Sequence, residues 1–246
     1  MIVFSHILNA DNTGDEMSGP YRWFEFGRHV ALNYSTPLPP ETSAVIYGGG
    51  TMTNWLRGRT LPTVPRIGWG IGSSRHGETE PWPDVPGLVL AGYREWAPER
   101  DSQWVPCASC MSPLLDSPPE PTQPAVLFVN PAIEGRYPVT VGNLPRMENT
   151  RPMAEIIAFL ASGETVVTNS YHGVYWATLL GRKVVALPYS SKFYGLRHPP
   201  AYSRDRGLDW HRHQPKVYPD ALAECRTRNM DFYGRVRAAI GGRVAA

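Results

Sequence analysis

The chain has 246 residues, 42% of them hydrophobic, enough to form the core of one large α/β domain or two small ones. Its 24 basic and 22 acidic residues give a net charge of +2 without any block of basic residues, which excludes a polycation that binds nucleic acid. Three cysteines are too few for a disulfide framework, and no apolar run approaches the ~20 residues of a membrane helix. Because no signal-peptide pattern follows Met1, we expect a cytoplasmic protein.

Four apolar runs predict strands in the N-terminal half, at residues 2–7, 44–47, 66–72 and 88–95. A polar turn follows the first strand, and short helices are predicted over residues 23–30 and 52–56. The second strand leads into the loop Gly48-Gly49-Gly50-Thr51, where the glycines allow the backbone to approach a ligand closely. This loop is similar to a phosphate-binding loop but lacks the lysine of a P-loop and the spacing of a dinucleotide motif.

A proline-rich segment at residues 114–124, LLDSPPEPTQP, is the best candidate for a linker. It divides the chain into predicted domains at 1–117 and 118–246. The second domain is predicted to contain a strand at 125–129, a helix at 153–161 and a final helix at 219–240 that returns toward the first domain.

The segment 163–189 predicts a strand, a sharp turn, a helix and a second parallel strand. Asn169, Ser170, Tyr171 and His172 occupy the turn where the helix begins. Parallel sheets bind ligands at such strand ends, and the free amides and dipole of a helix N-terminus favour an anion. His172 is therefore predicted to bind phosphate or transfer a proton; the alternative is that it only caps the helix or fills the domain edge.

Cys107 and Cys110 form a C-x-x-C pair, but no second pair exists to complete a zinc site. The flanking prolines also do not fit the strand-to-helix setting of a redox pair. We therefore expect a loop with small buried thiols, and no metal site.

Five segments, in this order, resemble the polysaccharide pyruvyl transferase family: DNTGDE, VIYGGGT, GWGIGSS, GYRE and TNSYHGVYWATLLGRKVVALPYSSK. They span almost the whole chain, and the histidine-containing segment is the most specific. The resemblance implies a GT-B-like α/β fold, in which two Rossmann-like domains face each other across a cleft. It also implies transfer of pyruvate from phosphoenolpyruvate, without a cofactor, to two hydroxyls of a polysaccharide sugar as a cyclic ketal.

Matching the family motifs assigns His172, Arg94 and Lys192 to the site, whereas Ser170 stands where many members have an arginine. Arg94 suits the donor carboxylate because its guanidinium makes two parallel hydrogen bonds. His172 would protonate the donor or hold the departing phosphate, and Asp15 would take a proton from the sugar hydroxyl. Alternatively, Asn12 and Asp15 only cap the first helix. The predicted substrate-binding residues are Asn12, Gly49, Gly50, Thr51, Ser73, Asn169, Ser170, Tyr171 and Lys192.

The acceptor implied by the resemblance is a sugar, including one on a lipid-linked oligosaccharide, which would bring the protein to the inner face of the membrane. Trp69, Trp82, Trp96 and Trp104 are candidates for stacking against the sugar, although some must belong to the core. Two other functions remain open. One is a GT-B-type glycosyltransferase that uses a nucleotide-sugar, and the other is a non-catalytic carbohydrate-binding protein of polysaccharide assembly.

Overall fold

The computed structural model describes residues 1–8, 11–57, 59, 62–80, 84–207 and 209–241 and shows an α/β protein with two five-stranded parallel sheets. The first sheet contains β1 (Ile2–His6), β2 (His29–Asn33), β3 (Ala44–Gly48), β4 (Arg66–Ile71) and β5 (Leu90–Tyr93). The second contains β6 (Gln123–Val129), β7 (Arg146–Glu148), β8 (Gly163–Thr168), β9 (Lys183–Ala186) and β10 (Ala201–Tyr202). The α-helices are α1 (Thr13–Glu16), α2 (Met52–Leu56), α3 (Met153–Ser162), α4 (Tyr171–Leu179) and α5 (Ala221–Gly241).

The two sheets have the same strand order, although the sequence shows no obvious internal repeat. The order is β2-β1-β3-β4-β5 in the first sheet and β7-β6-β8-β9-β10 in the second. In each sheet the chain starts in an inner strand, moves to one edge and then returns past the start toward the other edge. The strand order therefore reverses between β1 and β3, and again between β6 and β8. Open parallel sheets bind ligands beyond the carboxyl ends of the strands at such points.

The segment 23–30, predicted as a helix, is different in the structure. A single 3₁₀ turn at Pro20–Arg22 is followed by β2, in which Val30 pairs with Val3 of β1. The run Val30-Ala31-Leu32 is stabilised by this pairing rather than by a helical face. The short outer strands β7 and β10 were not predicted, because three and two residues are too few to show a pattern.

Helix α5 packs against both halves of the chain. Its first turns place Ala221 and Cys225 in the hydrophobic cluster of the second sheet, and Phe232 lies in a cluster with Phe4 and Trp69 of the first. Between these two contacts, the Asn229 Oδ1 accepts a hydrogen bond of 2.8 Å from the Trp69 indole. None of the described helices combines the length and apolar character needed to cross a membrane.

Two of the tryptophans considered for sugar stacking belong to the core. Trp69 is fully buried and Trp104 is 3% exposed, so neither presents a face to a ligand. Trp96 is half-buried, and its ring is covered by the Arg197 guanidinium at 4.4 Å. Trp82 lies outside the described residues.

Candidate active site

A polar cavity of about 350 Å³ lies among the loops that follow the strands of both sheets. Eight residues predicted from the sequence line it: Asn12, Asp15, Thr51, Arg94, Ser170, Tyr171, His172 and Lys192. Five further lining residues were not predicted: Asn54, Ser74, His76, Asn130 and Tyr189. A larger cavity of about 470 Å³ is mainly apolar and lies at the amino ends of strands in the first sheet, near Ile2 and Ala44. The polar cavity is the better candidate because ionisable side chains from both halves converge on it.

Hydrogen bonds join the two halves beside this cavity. Ser74 Oγ lies 2.9 Å from Ser190 Oγ, and the Gly77 amide donates to the Tyr189 carbonyl at 3.0 Å. On another side, the Thr13 amide donates to the Asn149 carbonyl at 2.9 Å. These bonds hold loops of the two sheets together around the cavity.

Arg94 provides a buried cation with an unused donor. It follows β5, is 3% exposed, and its Nε lies 3.4 Å from Glu95 Oε1. Glu95 Oε1 in turn accepts from the Ser73 amide at 2.9 Å, which gives Ser73 a supporting position outside the cavity lining. A Cβ on Gly72 would lie 2.2 Å from Arg94 Nε, so only glycine permits this packing. The Arg94 Nη2 is buried without a hydrogen-bond partner among the described residues, as expected of a donor reserved for a ligand.

The N-terminus of α4 provides backbone donors at the cavity. Ser170 caps the helix by accepting from the Gly173 amide at 3.3 Å, and its carbonyl accepts from Val174. The Tyr171 and His172 amides, also in the first turn, have no intrahelical acceptor. Ser170 therefore stabilises the helix start, and the remaining amides suit an anion.

His172 is buried in the wall of the cavity. Burial lowers its pKa well below the ordinary value, and the nearby charges of Arg94 and Lys192 lower it further. Its Nε2 lies 3.5 Å from the Cys107 Sγ. Helix α1 packs directly on the ring, because a Cβ at Gly14 would lie 2.0 Å from Nδ1. These effects favour the neutral imidazole over its charged form.

Asp15 and Lys192 have opposite pKa shifts. Burial raises the pKa of Asp15, against the opposing effects of Lys192 and Arg94. Burial, reinforced by Arg94 and opposed by Asp15, lowers the pKa of Lys192 to about 8. The Lys192 Nζ donates a hydrogen bond to the Tyr189 hydroxyl. Asp15 is therefore more readily protonated, and Lys192 more readily neutral, than the same groups in water.

Asn12 caps helix α1 and also contacts Asp15. Its Oδ1 accepts from the Gly14 amide at 3.2 Å, which caps α1, and its Nδ2 donates to Asp15 Oδ2 at 2.7 Å. Capping and orientation of Asp15 are thus compatible. Asn12 also lines the cavity.

The glycine loop after β3 is different from a phosphate-binding loop. Gly49 and Gly50 have φ values of +58° and +63°. The Gly49 amide is used in a hydrogen bond of 2.9 Å to the Trp69 carbonyl, and neither glycine lines the cavity. A Cβ on Gly50 would lie 3.4 Å from Asp15 Oδ1. The loop therefore supports α1 and Asp15, and Thr51 is its contribution to the cavity lining.

Three asparagines follow three neighbouring strands of the second sheet: Asn130 after β6, Asn149 after β7 and Asn169 after β8. The Asn130 amide donates to Asn169 Oδ1 at 2.6 Å. The Nδ2 of Asn169 and both side-chain polar atoms of Asn149 are buried without a hydrogen-bond partner in the described parts of the chain. Asn130 and Asn149 were missed in the sequence, although each directly follows a strand, which was the available signal.

Comparison with family models, curated proteins and solved structures finds no match for this chain.

The three cysteines, Cys107, Cys110 and Cys225, are buried and form no disulfide. Among the described residues, no group of three or more His, Cys, Asp or Glu side chains is arranged to hold a metal ion.

Proposed function

We propose that the cavity binds phosphoenolpyruvate and transfers its pyruvyl group to two hydroxyls of a polysaccharide sugar as a cyclic ketal. The observation that carries this proposal is Arg94, a buried guanidinium whose Nη2 has no partner among the described residues. It shares the cavity with Lys192 and with the N-terminus of α4. In this proposal the two sheets belong to Rossmann-like domains that face each other in a GT-B-like arrangement.

The donor would be bound through its two anionic groups. Its carboxylate is placed on Arg94, because a guanidinium forms two parallel hydrogen bonds with a carboxylate. Its phosphate is placed at the start of α4, where the amides of Tyr171 and His172 and the ammonium of Lys192 provide donors. A cavity of about 350 Å³ is near the lower end of ligand sites, which favours this small donor over a nucleotide-sugar.

The directions of the two pKa shifts favour the reverse of the roles expected from the sequence, with Asp15 as the acid and His172 as the base. Asp15, whose pKa is raised, is assigned as the acid that protonates the methylene carbon of the donor. Neutral His172 is assigned as the base that takes the proton of the first sugar hydroxyl as its oxygen bonds to C2. Loss of phosphate from C2 and attack by the second hydroxyl, with release of its proton, then complete the ketal.

The asparagines after β6, β7 and β8 are proposed to meet the acceptor. A neutral amide offers both a donor and an acceptor, which is the requirement for binding sugar hydroxyls. Asn130 lines the cavity directly and is held by its hydrogen bond to Asn169. Asn149 and Asn169 are outside the cavity lining, and their unpartnered polar atoms would have to be reached by a change in the surrounding loops when the acceptor binds.

Thermal unfolding with candidate donors tests the proposal. Phosphoenolpyruvate should raise the melting temperature, and a uridine-diphosphate sugar should not, since a ligand that binds only the folded state stabilises it. Arg94→Lys, which retains the charge beside Glu95, should reduce the shift. Incubation with phosphoenolpyruvate and a sugar carrying a free hydroxyl pair should then release phosphate and form a ketal methyl group visible by NMR. Stabilisation by the nucleotide-sugar alone would instead support a glycosyltransferase.

A further inference from the structure

Lysine is rare in this chain, and one of its few copies lies in the cavity. Only three of the 24 basic residues are lysines: Lys183, Lys192 and Lys216. Lys183 pairs with Glu164 at 2.7 Å on the surface, and Lys216 is exposed, whereas Lys192 lines the cavity. Arginine would provide a positive charge at this position equally well. The property that arginine lacks is the ability to lose a proton and act as a nucleophile.

The surroundings of Lys192 suit such a nucleophile. Its Nζ donates to the Tyr189 hydroxyl, which fixes its position. Ionisable groups from several elements surround it: Asp15 from α1, Arg94 after β5, His172 in α4 and His76 after β4. Burial and Arg94 lower the Lys192 pKa to about 8, which raises the neutral fraction at neutral pH by on the order of a hundredfold over an ordinary lysine.

We propose that Lys192 forms a reversible imine with a small 2-oxo acid whose carboxylate lies on Arg94. Arg94 is a fixed carboxylate-binding group in the same cavity, with Nη2 available for it. A 2-oxo acid has a ketone directly beside its carboxylate, so binding of the carboxylate brings the carbonyl carbon toward the amine. This activity goes beyond pyruvyl transfer and requires only the carboxylate site.

The step is balanced without a further reactant. The neutral Lys192 nitrogen attacks the carbonyl carbon and forms a C–N bond. The C–O bond breaks, and the carbonyl oxygen gains two protons and leaves as water. The two hydrogens of this water balance the two N–H hydrogens that the amine loses when the C=N bond forms. Asp15, whose pKa is raised by burial, is the group that donates a proton to the departing oxygen. Hydrolysis reverses the step.

The test is reductive trapping of the whole chain with pyruvate and cyanoborohydride, followed by peptide mapping of all three lysines. We expect label on Lys192 at least about tenfold above that on Lys183 or Lys216, because only Lys192 shares the cavity with the carboxylate site at Arg94. Acetone, which has the ketone but no carboxylate, should label Lys192 far less. Arg94→Lys should reduce the pyruvate label, and the sites labelled in that variant are read separately because it adds a lysine.

Equal label on the three lysines, or equal label by pyruvate and acetone, would overturn the proposal. Lys192→Arg should abolish the selective label while the melting temperature shows that the chain remains folded. Absence of Lys192 label in a protein that phosphoenolpyruvate still stabilises would reject the imine and leave the transferase proposal intact. Selective label without stabilisation by phosphoenolpyruvate would support the imine and count against the transferase.

Discussion

The guanidinium carbon of Arg94 lies 4.0 Å from the ring centre of Tyr171, a contact between residues of the two halves. Arg94 follows β5 of the first sheet, and Tyr171 begins α4 beside the second. The ring covers one face of the guanidinium while Glu95 binds its Nε, so the orientation of the remaining donors is fixed. The contact therefore couples the carboxylate site to the helix N-terminus proposed for the phosphate.

Replacement of Tyr171 tests this coupling. Tyr171→Leu should weaken phosphoenolpyruvate binding by about 1–2 kcal/mol, since a desolvated cation–π contact is lost and Arg94 can reorient. Tyr171→Phe is the matched control, because it keeps the ring, and its affinity should remain close to that of the wild type. Calorimetric titration measures both. Equal weakening in the two variants would assign the effect to the hydroxyl instead of the ring face.

Replacement of His172 separates a role in turnover from a role in folding. His172→Gln should reduce the transfer rate by on the order of 10²- to 10⁴-fold, because the base is lost, with a small change in melting temperature. His211→Gln, at an exposed histidine, is the control and should leave both unchanged. Near-normal turnover in His172→Gln would remove His172 from the chemistry. A collapsed melting temperature would show that it mainly supports the packing of α1 and α4.

Donor binding should depend on pH through Lys192. Its pKa of about 8 means that the ammonium is present below that pH and lost as the pH rises through it. The affinity for phosphoenolpyruvate should therefore fall between about pH 7 and about pH 9, which lie about one unit on either side of that pKa. Lys192→Arg retains its charge in this range and should remove most of the decrease. A decrease of the same size in the variant would place the titrating group elsewhere.

His6 should make stability sensitive to acid. The ring is fully buried, and burial followed by the charge of Arg22 lowers its pKa to about 4, against an opposing effect of the Asp15 backbone. Above the unfolded value of 6.5 both states are neutral. As the pH falls toward 4 only the unfolded state takes the proton, so stability decreases, by up to about 3 kcal/mol. His6→Phe should flatten the urea unfolding free energy between these pH values, whereas His211→Phe should not.

Many strands of the two parallel sheets could be predicted, because a buried strand consists mainly of consecutive apolar residues. The apolar runs at residues 2–4 of β1, 44–47 of β3 and 125–129 of β6 are continuous, as expected of strands covered on both faces. β2 was missed because its residues are only partly buried and its stabilisation comes from pairing with β1. The shared strand order could not be predicted, since a topology can recur without any repeat of residues.

In the candidate site, too, features that depend on neighbouring residues in the sequence could be predicted, whereas features that depend on contacts between distant segments could not. Arg94, Ser170, His172 and Lys192 could be proposed from motifs, because each follows a strand or begins a helix. The burial that sets their pKa values could not, since it depends on packing of the two halves. The pairing of Asn130 with Asn169 likewise joins residues 39 apart in the chain. The strand order that makes β6 and β8 neighbours is what brings them together.

The most direct test of the central claim is calorimetric titration of phosphoenolpyruvate into the wild-type protein and into Arg94→Lys. Lysine retains the positive charge beside Glu95 but cannot form two parallel hydrogen bonds with a carboxylate. Binding should therefore weaken by about 1.5–3 kcal/mol, while the melting temperature without ligand changes little. Exposed Arg212→Lys serves as the matched control and should bind normally. An affinity that is unchanged in Arg94→Lys, or absent in the wild type, would contradict a phosphoenolpyruvate site built on Arg94.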